Sequence, residues 1–428
     1  PNSGVQEDHA MVAVATRSEF DASRPVDLGS KEFAHNKYEW YRWMLEDAPV
    51  CMGKVSVMKV NLVSRYEDCR MVLTDERFVR GRALALGKKG ASQFPFPISI
   101  LMPRAVKAIA MSMIQEDDPE HRRKRNLVNR AFTPRAVAEL EPRVEEVSHE
   151  LLDSLEGQES FDLLEHYARP VPTRVIAEMV GVSSEDAEAF HKSVSILSKG
   201  MTGYSLVKTL LWDIRSASKF VRGLVARKRR QPGDDILTGL IQAEEDGDRL
   251  SEDELVGMVF LLIMAGFETT LHSISNGLRV LLEHPEQLER LRAEPELWEC
   301  AVEEIIRHRG PIHGTKMQYA TEDVMLHGYT IKKGTPIMPL LGAANHDPRE
   351  FEMPDEFDIS RSPNRHLGFG IGNHFCLGKQ LAVMETRIAL KNLFDRYPDV
   401  RIAVEASKLE VAAMPGWHRH VGMPVTLR

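Results

Sequence analysis

The stretch from His366 to Arg387, HLGFGIGNHFCLGKQLAVMETR, constrains the chain more than any other part of it. It places a single cysteine, Cys376, among the glycines Gly368, Gly370, Gly372 and Gly378. Because glycine has no Cβ, such a backbone can turn sharply and approach a flat group closely. Apolar residues then recur at helical spacing, which predicts that Cys376 lies at the start of an amphipathic helix.

This position favours a thiolate that binds metal. Backbone N–H groups and the positive end of the helix dipole stabilise the thiolate form, which is the form that ligates metals. The other cysteines, Cys51, Cys69 and Cys300, are scattered and form no Cys-x-x-Cys pair, which argues against a zinc or iron–sulfur site. One thiolate in a glycine-lined turn suits an axial ligand to haem iron, whereas an arbitrary cysteine there would be an ordinary free thiol.

Composition excludes several classes of protein. The chain has 428 residues, of which 43% are hydrophobic, so it can bury a large core, and no Pro/Gly/Ser-rich linker divides it. A net charge of -8 argues against a nucleic-acid-binding protein. The scattered cysteines favour the reducing cytoplasm. The longest apolar run, Val256–Phe267, falls short of the ~20 residues that span a bilayer, and we expect neither a signal peptide nor a membrane anchor.

The string around Cys376 resembles the haem-binding loop of the cytochrome P450 family, Phe-x-x-Gly-x-x-x-Cys-x-Gly. Phe369, Gly372, Cys376 and Gly378 fill its fixed positions, and His374 stands where bacterial members usually keep a histidine. The resemblance implies a mainly α-helical fold with small β-sheets, an α-rich prism with a long central helix and a minor β-rich region. It also implies haem b (iron protoporphyrin IX), with Cys376 as the axial iron ligand.

A second motif begins at residue 117, Asp-Asp-Pro-Glu-His-Arg-Arg-Lys-Arg, and opens a helix with acidic residues and proline. Alone, this charge run would be a solvated helix face. It resembles the family's C helix, which implies that His121 and Arg125 bind the haem propionates; a guanidinium pairs well with a carboxylate. Asp118 stands where the family usually has proline. The predicted cofactor-binding residues are Cys376, His121, Arg125, Phe369, His374, Gly370 and Gly378.

A long helix is predicted from Ser251, which forms a capping box with Glu254, to about Glu283. Its middle is apolar on every side, which is typical of a helix that crosses the centre of a protein. Within it lies Ala-Gly-Phe-Glu-Thr-Thr at 265–270, a weak helix former for a buried segment. One interpretation is a locally bent helix whose hydroxyls bond to carbonyls one turn back.

The same segment resembles the oxygen-binding kink of the family's I helix. The resemblance implies that Ala265 and Gly266 form a groove for dioxygen, that Thr269 donates a hydrogen bond to dioxygen, and that Glu268 relays protons. Glu268 and Thr269 are therefore the predicted catalytic residues.

The sequence Glu304-Ile-Ile-Arg307 is a weak signal alone, because Glu-x-x-Arg on an exposed helix is a routine ion pair. Its place between the long helix and the cysteine resembles the family's K helix. The resemblance implies a buried triad with Arg361 that holds the cysteine loop. In one departure, Gln318 stands where bacterial members usually have an arginine that binds a propionate, and Lys316, His313 or His374 are predicted to compensate.

The resemblance covers residues 35–428 as a single catalytic domain, and residues 1–34 are predicted to be a partly disordered extension. It implies a monomeric monooxygenase that hydroxylates or epoxidises a bulky hydrophobic small molecule of terpenoid, steroid, fatty acyl or polyketide class. Phe96, Ile98, Ile312 and Met414 are predicted to line the substrate pocket. No fused redox module is visible in the sequence, so electrons are expected from a ferredoxin and its reductase, docking near Arg122 and Lys379.

Two alternatives belong to other classes of function. A peroxide-driven or non-oxygenating haem-thiolate enzyme usually lacks the acid–threonine pair that this chain keeps at Glu268 and Thr269. A haem-based binding or sensor protein would need no proton relay. NADH-dependent product formation with a surrogate ferredoxin would exclude this last alternative.

Overall fold

The computed structural model describes residues 20–21, 23–88, 112–182, 186, 190, 214–243 and 247–427. The α-helices of this part of the chain are α1 Lys31–His35, α2 Lys37–Glu46, α3 Tyr66–Thr74, α4 Arg82–Ala85, α5 Glu120–Ala131, α6 Pro134–Ala138, α7 Glu141–Ser154, α8 Pro170–Met179, α9 Ile214–Arg230, α10 Ile236–Gln242, α11 Glu252–Glu283, α12 Pro285–Ala293, α13 Trp298–Arg309, α14 Leu341–Ala344 and α15 Lys379–Arg396. The strands are β1 Val26–Asp27, β2 Val50–Val55, β3 Met58–Val63, β4 Phe78–Val79, β5 Ser160–Asp162, β6 Gln318–Ala320, β7 Val324–Leu326, β8 Tyr329–Ile331, β9 Pro336–Pro339, β10 Arg401–Ile402 and β11 Pro424–Thr426. The prediction of a mainly α-helical protein with small sheets is confirmed.

The strands form three small sheets. The largest has the order β1-β2-β3-β9-β6-β4, in which β2 and β3 form an antiparallel hairpin and β9 runs parallel to β3. A second sheet has the order β10-β11-β5, and β7 with β8 makes a two-stranded hairpin. These sheets lie beside the helical body and bring β6 and β9 next to the loop that follows α13.

The N-terminal part of the described chain belongs to the fold. Strand β1 pairs in parallel with β2, and Val26 and Leu28 are buried in the core. Phe20 packs edge-on against Trp40, with ring centroids 4.4 Å apart. The folded unit therefore begins before residue 35, where the sequence analysis places the domain boundary.

Two predicted helix starts have different outcomes. The capping box of Ser251 and Glu254 forms at the start of α11, as predicted. Ser64 and Glu67 also have the Ser-x-x-Glu spacing that predicts a capping box, here for α3. This prediction is wrong, because the N-cap is Arg65 and no side chain caps the helix. Ser64 is buried at the end of β3, and its hydroxyl donates instead to the carbonyl of Pro49 at 3.2 Å.

Helix α11 is the central element of the protein. It packs against α8, α9, α13 and α15, and its side chains enter the two largest core clusters, with Phe260 in one and Leu278 in the other. By length and composition it could cross a membrane, but 67% of its most apolar window is buried inside the protein. A core helix of this kind has the same composition as a membrane span. Its middle turns, with the loop before α15, position the candidate site.

Candidate active site

The loop before α15 reverses direction around Cys376. The backbone N–H of Cys376 donates to the carbonyl of Phe369 at 2.9 Å. Gly370 and Gly372 adopt φ values of 70° and 75°, which residues with a Cβ rarely adopt, so this reversal depends on glycine. The ring of Phe369 packs against α13 and α15, and the ammonium of Lys379 lies 5.5 Å from its centroid. The loop is therefore fixed by its own hydrogen bonds and by the helices behind it.

Opposing electrostatic effects act on the pKa of the Cys376 thiol. Burial raises its pKa above the usual range, while the N–H of Gly378 and the charges of Arg125 and Lys379 offset part of that rise. A thiolate at this position therefore needs a further positive charge, which a coordinated metal supplies. A Cβ placed on Gly378 would have no heavy atom within 4 Å. The backbone next to the sulfur thus leaves room for a flat group.

Side chains of α5 lie near this loop and carry unpaired donors. His121 is buried, its Nδ1 lies 3.4 Å from Asp118, and its Nε2 has no hydrogen-bond partner in the described part of the chain. The ring of His374 lies 4.1 Å from that of His121. Arg125 is half-buried, and no hydrogen bond or ion pair to its guanidinium occurs among the described residues. Burial lowers the pKa of Arg125, and that of His374 to about 3.

Two further cationic side chains join these three. Arg80 is 9% exposed, and its guanidinium donates to the backbone carbonyl of Lys316 at 2.6 Å. Its charge contributes to the lowered pKa of both His374 and Lys316. We call Arg80, His121, Arg125, Lys316 and His374 the cation group. Sequence reasoning missed Arg80, since no motif marks it and the contact with Lys316 joins positions 236 residues apart.

The cation group fits the two carboxylates of a haem. Buried donors without partners are costly unless an acceptor satisfies them, and the charges of Arg80, Arg125 and Lys316 favour an anionic partner. A haem held by Cys376, with its carboxylates bound to this group, would meet both requirements, and the open space at Gly378 would leave room for it. No group of three or more His, Cys, Asp or Glu side chains that could hold a bare metal ion occurs among the described residues.

The middle of α11 contains the predicted oxygen-binding segment, and the helix is continuous through it. The hydroxyl of Thr269 donates to the carbonyl of Ala265 one turn back, at 2.6 Å. Ala265 is exposed and Thr269 is half-exposed although the neighbours Phe267 and Thr270 are buried, so these two residues share an open face. Gly266 has another role as well: a Cβ there would lie 2.6 Å from Ile176, so glycine permits close contact with α8.

Glu268 is paired with a residue that the sequence analysis did not identify. It is 9% exposed, and the guanidinium of Arg419 donates to its carboxylate. Burial raises the pKa of Glu268, and the charges of Arg419 and Arg169 offset part of the rise. Arg419 lies 151 positions away in the C-terminal loop, so no local signal could have revealed the pair.

The structure brings Glu304, Arg307 and Arg361 together behind the cysteine loop. The Arg307 guanidinium forms two bonds of 2.8 Å to the Glu304 carboxylate, and both side chains are fully buried. Arg361 donates to the same carboxylate at 3.2 Å. Asn364 adds a bond of 3.0 Å, and it lies in the segment that leads into the cysteine loop. This network therefore anchors the start of the loop.

Comparison with known proteins identifies the family. The family model described as Cytochrome P450 matches residues 84–400. The chain is 34% identical over 409 residues to the "Polyketide biosynthesis cytochrome P450 PksS" of Bacillus subtilis, covering 93% of this chain and 97% of that protein. It is 39% identical over 351 residues to the "Mycinamicin IV hydroxylase/epoxidase" of Micromonospora griseorubida, covering 81% and 84%. The solved structure of PksS superposes with a TM-score of 0.85 at 33% identity, covering 94% of this chain and 99% of that one.

The chain belongs to the cytochrome P450 family. It is a haem-dependent monooxygenase that acts on a small molecule. The family and fold predicted from the cysteine loop are confirmed. Because the aligned PksS structure covers nearly the whole chain, the match extends well beyond the motifs themselves.

The remaining predicted residues of this P450 have mixed placements. Ile312 is half-buried and forms a β-bridge with Trp417. Met414 lies half-exposed in the C-terminal loop, where its N–H donates to the carbonyl of Ala412 at 2.8 Å. Phe96 and Ile98 lie outside the described residues.

His313 does not substitute for the arginine missing at Gln318. Its Nδ1 lies 3.0 Å from the hydroxyl of Tyr41, and its ring stacks on that of His418 at 5.0 Å. The prediction that His313 compensates is wrong, because its ring is held in this separate aromatic cluster. Lys316 and His374, the other two predicted substitutes, do belong to the cation group.

Proposed function

We propose that this P450 holds haem b through Cys376 and hydroxylates or epoxidises a bulky hydrophobic small molecule of polyketide, macrolide, steroid or fatty acyl class. It works as a cytoplasmic monomer with electrons from a separate ferredoxin. The observation that carries the proposal is the solitary Cys376 thiol in a glycine-lined loop, beside the cation group. A single cysteine with carboxylate-binding neighbours suits one axial position of a haem and no four-ligand metal site. PksS, which is named for polyketide biosynthesis, supports the polyketide class, and the mycinamicin IV hydroxylase/epoxidase supports the type of reaction.

His121, Arg125 and His374 would hold the propionates, and the Gly370 and Gly378 backbone would allow close approach of the ring. When bound, haem supplies dioxygen activation, with a thiolate ligand that favours O–O cleavage. The chain supplies the ligand, its orientation and the path of protons. The network of Glu304, Arg307 and Arg361 would keep the cysteine loop in one conformation.

Proton supply would use Glu268 and Thr269. The carboxyl of Glu268 takes up a proton more readily than a solvated glutamate, because burial raises its pKa. Its ion pair with Arg419 opposes protonation, so the carboxyl must leave that pair before it can donate a proton. Thr269 lies on the open face of α11, and its hydroxyl can receive that proton and pass another one on. Ala265, one turn away, leaves space for a small molecule on that face.

The decisive test of the proposal is the thiolate ligand. Cys376→Ser should keep the fold and lose the red-shifted absorption that a haem–thiolate gives in its reduced carbonyl complex. Cys300→Ser is the matched control, because that thiol is exposed and free, and its spectrum should be unchanged. Persistence of the red-shifted band in Cys376→Ser would overturn the assignment of the ligand.

The substrate class can be tested by titration. Macrolides, steroids and fatty acids should be added in turn to the ferric protein, and displacement of water from the haem should appear as a change of spin state. We expect bulky hydrophobic members of these classes to produce it. A response confined to small polar compounds would contradict the proposed class.

A further inference from the structure

Arg80 is a buried cation that forms no ion pair with the described residues. It precedes α4 and is 9% exposed, and its Nε has no hydrogen-bond partner in the described part of the chain. Among the described residues, its guanidinium bonds to the backbone carbonyl of Lys316, at 2.6 Å. A neutral carbonyl satisfies one donor but provides no counter-charge, so burial lowers the pKa of Arg80 to about 10.

The carboxylate whose charge acts on Arg80, Asp117, is already used elsewhere. Asp117 accepts the backbone N–H groups of Arg80 and Gly81, at 2.7 and 2.8 Å, and forms no ion pair with the Arg80 guanidinium. Asp118 accepts from Arg122 at 2.7 Å and lies 3.4 Å from His121. The sequence between residues 89 and 111 contains no Asp or Glu. That segment therefore has no carboxylate to offer to Arg80.

Arg80 also lies in the right neighbourhood to bind the cofactor. The backbone N–H of Arg80 donates to Asp117, and the next residue, Asp118, lies 3.4 Å from His121, whose ring is 4.1 Å from that of His374. Lys316 is exposed, and its ammonium forms no hydrogen bond or ion pair with the described residues, although its pKa is lowered mainly by burial. An ammonium that is accessible yet surrounded by protein lies on an internal surface. Arg80 therefore lies beside the region of His121 and His374, and Lys316 is bonded to Arg80 through its backbone carbonyl.

We propose that Arg80, together with Lys316, is the second clamp for the haem propionates of this P450, replacing the arginine that is absent at Gln318. The proposal rests on the proposed haem–thiolate function. A guanidinium can bind a carboxylate through two parallel N–H···O bonds, and Arg80 has free donors for this contact. Gln318 is 4% exposed and lies in β6, so its neutral amide cannot supply the charge.

The test compares Arg80→Gln and Arg80→Lys with the matched control Arg77→Gln. Arg77 lies three positions earlier, 41% exposed, and pairs with Asp75 on the surface. The first measurement is the rate at which ferric haem passes from each holoprotein to an excess of a haem-free globin. We expect a rise of about tenfold or more for Arg80→Gln, a few-fold for Arg80→Lys, and none for the control.

The second measurement is the midpoint potential of the haem, which reports charge rather than fold. A nearby cation stabilises the reduced state, so Arg80→Gln should lower the potential, whereas Arg80→Lys and the Arg77 control should leave it close to the wild-type value. Far-UV circular dichroism of the holoproteins checks that all variants are folded.

Two results would overturn the proposal. One is a haem transfer rate and potential of Arg80→Gln equal to those of Arg77→Gln. The other is faster haem loss in both Arg80 variants with an unchanged potential, which would mean that Arg80 serves only the local fold through Lys316. If the wild-type protein lacked the haem–thiolate spectrum, the proposed function itself would be refuted.

Discussion

Two groups of charged side chains lie near the cysteine loop. The protein neutralises the charges of the first group and leaves the arginine and lysine charges of the second group without ion pairs among the described residues. In the network of Glu304, Arg307 and Arg361, the charges are neutralised within the chain. The Arg307 guanidinium binds both oxygens of Glu304 and, in addition, backbone carbonyls of residues 345, 354 and 356. Glu304 also accepts the N–H of Asp358 at 3.1 Å. The donors of the Arg307 guanidinium are thus all satisfied within the described part of the chain.

The cation group is the reverse case. Nitrogens of Arg80 and His121 are buried without partners in the described part of the chain, and Arg125 forms no ion pair there. A fold that leaves donors unpaired at a site loses stability by doing so, and such sites are usually functional. The first group therefore stabilises the fold, whereas the second group is available to bind an anionic group.

The largest effect should come from breaking the paired network. Replacing Glu304 by Gln leaves Arg307 as an uncompensated buried charge, which costs about 3–5 kcal/mol. We expect a corresponding fall in the free energy of unfolding, measured with urea on the holoprotein, and poor recovery of folded protein. The matched control is Asp355→Asn, which removes an exposed ion pair with Arg42 and should cost about 1 kcal/mol or less. An equal fall in the free energy of unfolding of both variants would show that the buried pair stabilises the protein no more than the exposed pair does.

The ion pair of Glu268 and Arg419 lies between these two cases. Its charges neutralise each other, yet Glu268 is proposed to donate a proton. Glu268→Gln should lower the rate of product formation by about 10²-fold or more, as expected for a lost proton donor. Haem binding should not change. If the glutamine variant turned over at the wild-type rate, Glu268 would have no part in proton supply.

For Arg419→Gln, the direction in which the pH–rate profile shifts can be predicted. Because Arg419 stabilises the carboxylate, its removal should raise the pKa of Glu268 further. The protonated acid then persists to higher pH, and the alkaline limb of the pH–rate profile should move upward. A limb that moves downward or stays in place would mean that another group titrates there.

These same residues show how much of the site can be predicted from the sequence. The loop around Cys376 and the pair at Glu304 and Arg307 are local strings, and their contacts follow from spacing along one loop and one helix. Arg361 could be placed through the family resemblance. Arg80 and Arg419 could not, because each meets its partner across more than 100 residues of chain and the partner of Arg80 is a backbone carbonyl.

The capping of α3 failed for a related reason. Ser64 and Glu67 match the pattern of a capping box, but the serine lies at the buried end of β3, where the Pro49 carbonyl is available to its hydroxyl. Tertiary contacts decided between two local hydrogen bonds, and the sequence pattern describes only one of them. At Ser251 no such competitor exists among the described residues, and the box forms.

A smaller effect is expected at the unpaired group. Arg125→Gln removes a buried cation that the described chain does not neutralise, so the fold loses no ion pair. Haem should pass to a haem-free globin about tenfold faster, while far-UV circular dichroism stays at the wild-type value. The contrast with Glu304→Gln is the informative part. A loss of fold in Arg125→Gln as severe as in the Glu304 variant would erase the distinction between the two groups.

The smallest effect should come from charges at the surface near the loop. Arg122 is 72% exposed and bonded to Asp118, whereas Lys379 is 36% exposed and paired with Glu303 at 2.9 Å. An acidic ferredoxin would therefore meet Arg122 more readily. Arg122→Glu should slow reduction by ferredoxin a few-fold at low salt, less at high salt, and Lys379→Glu should slow it less. The haem spectrum should stay constant in both variants, and salt-independent rates equal to wild type would place the docking surface elsewhere.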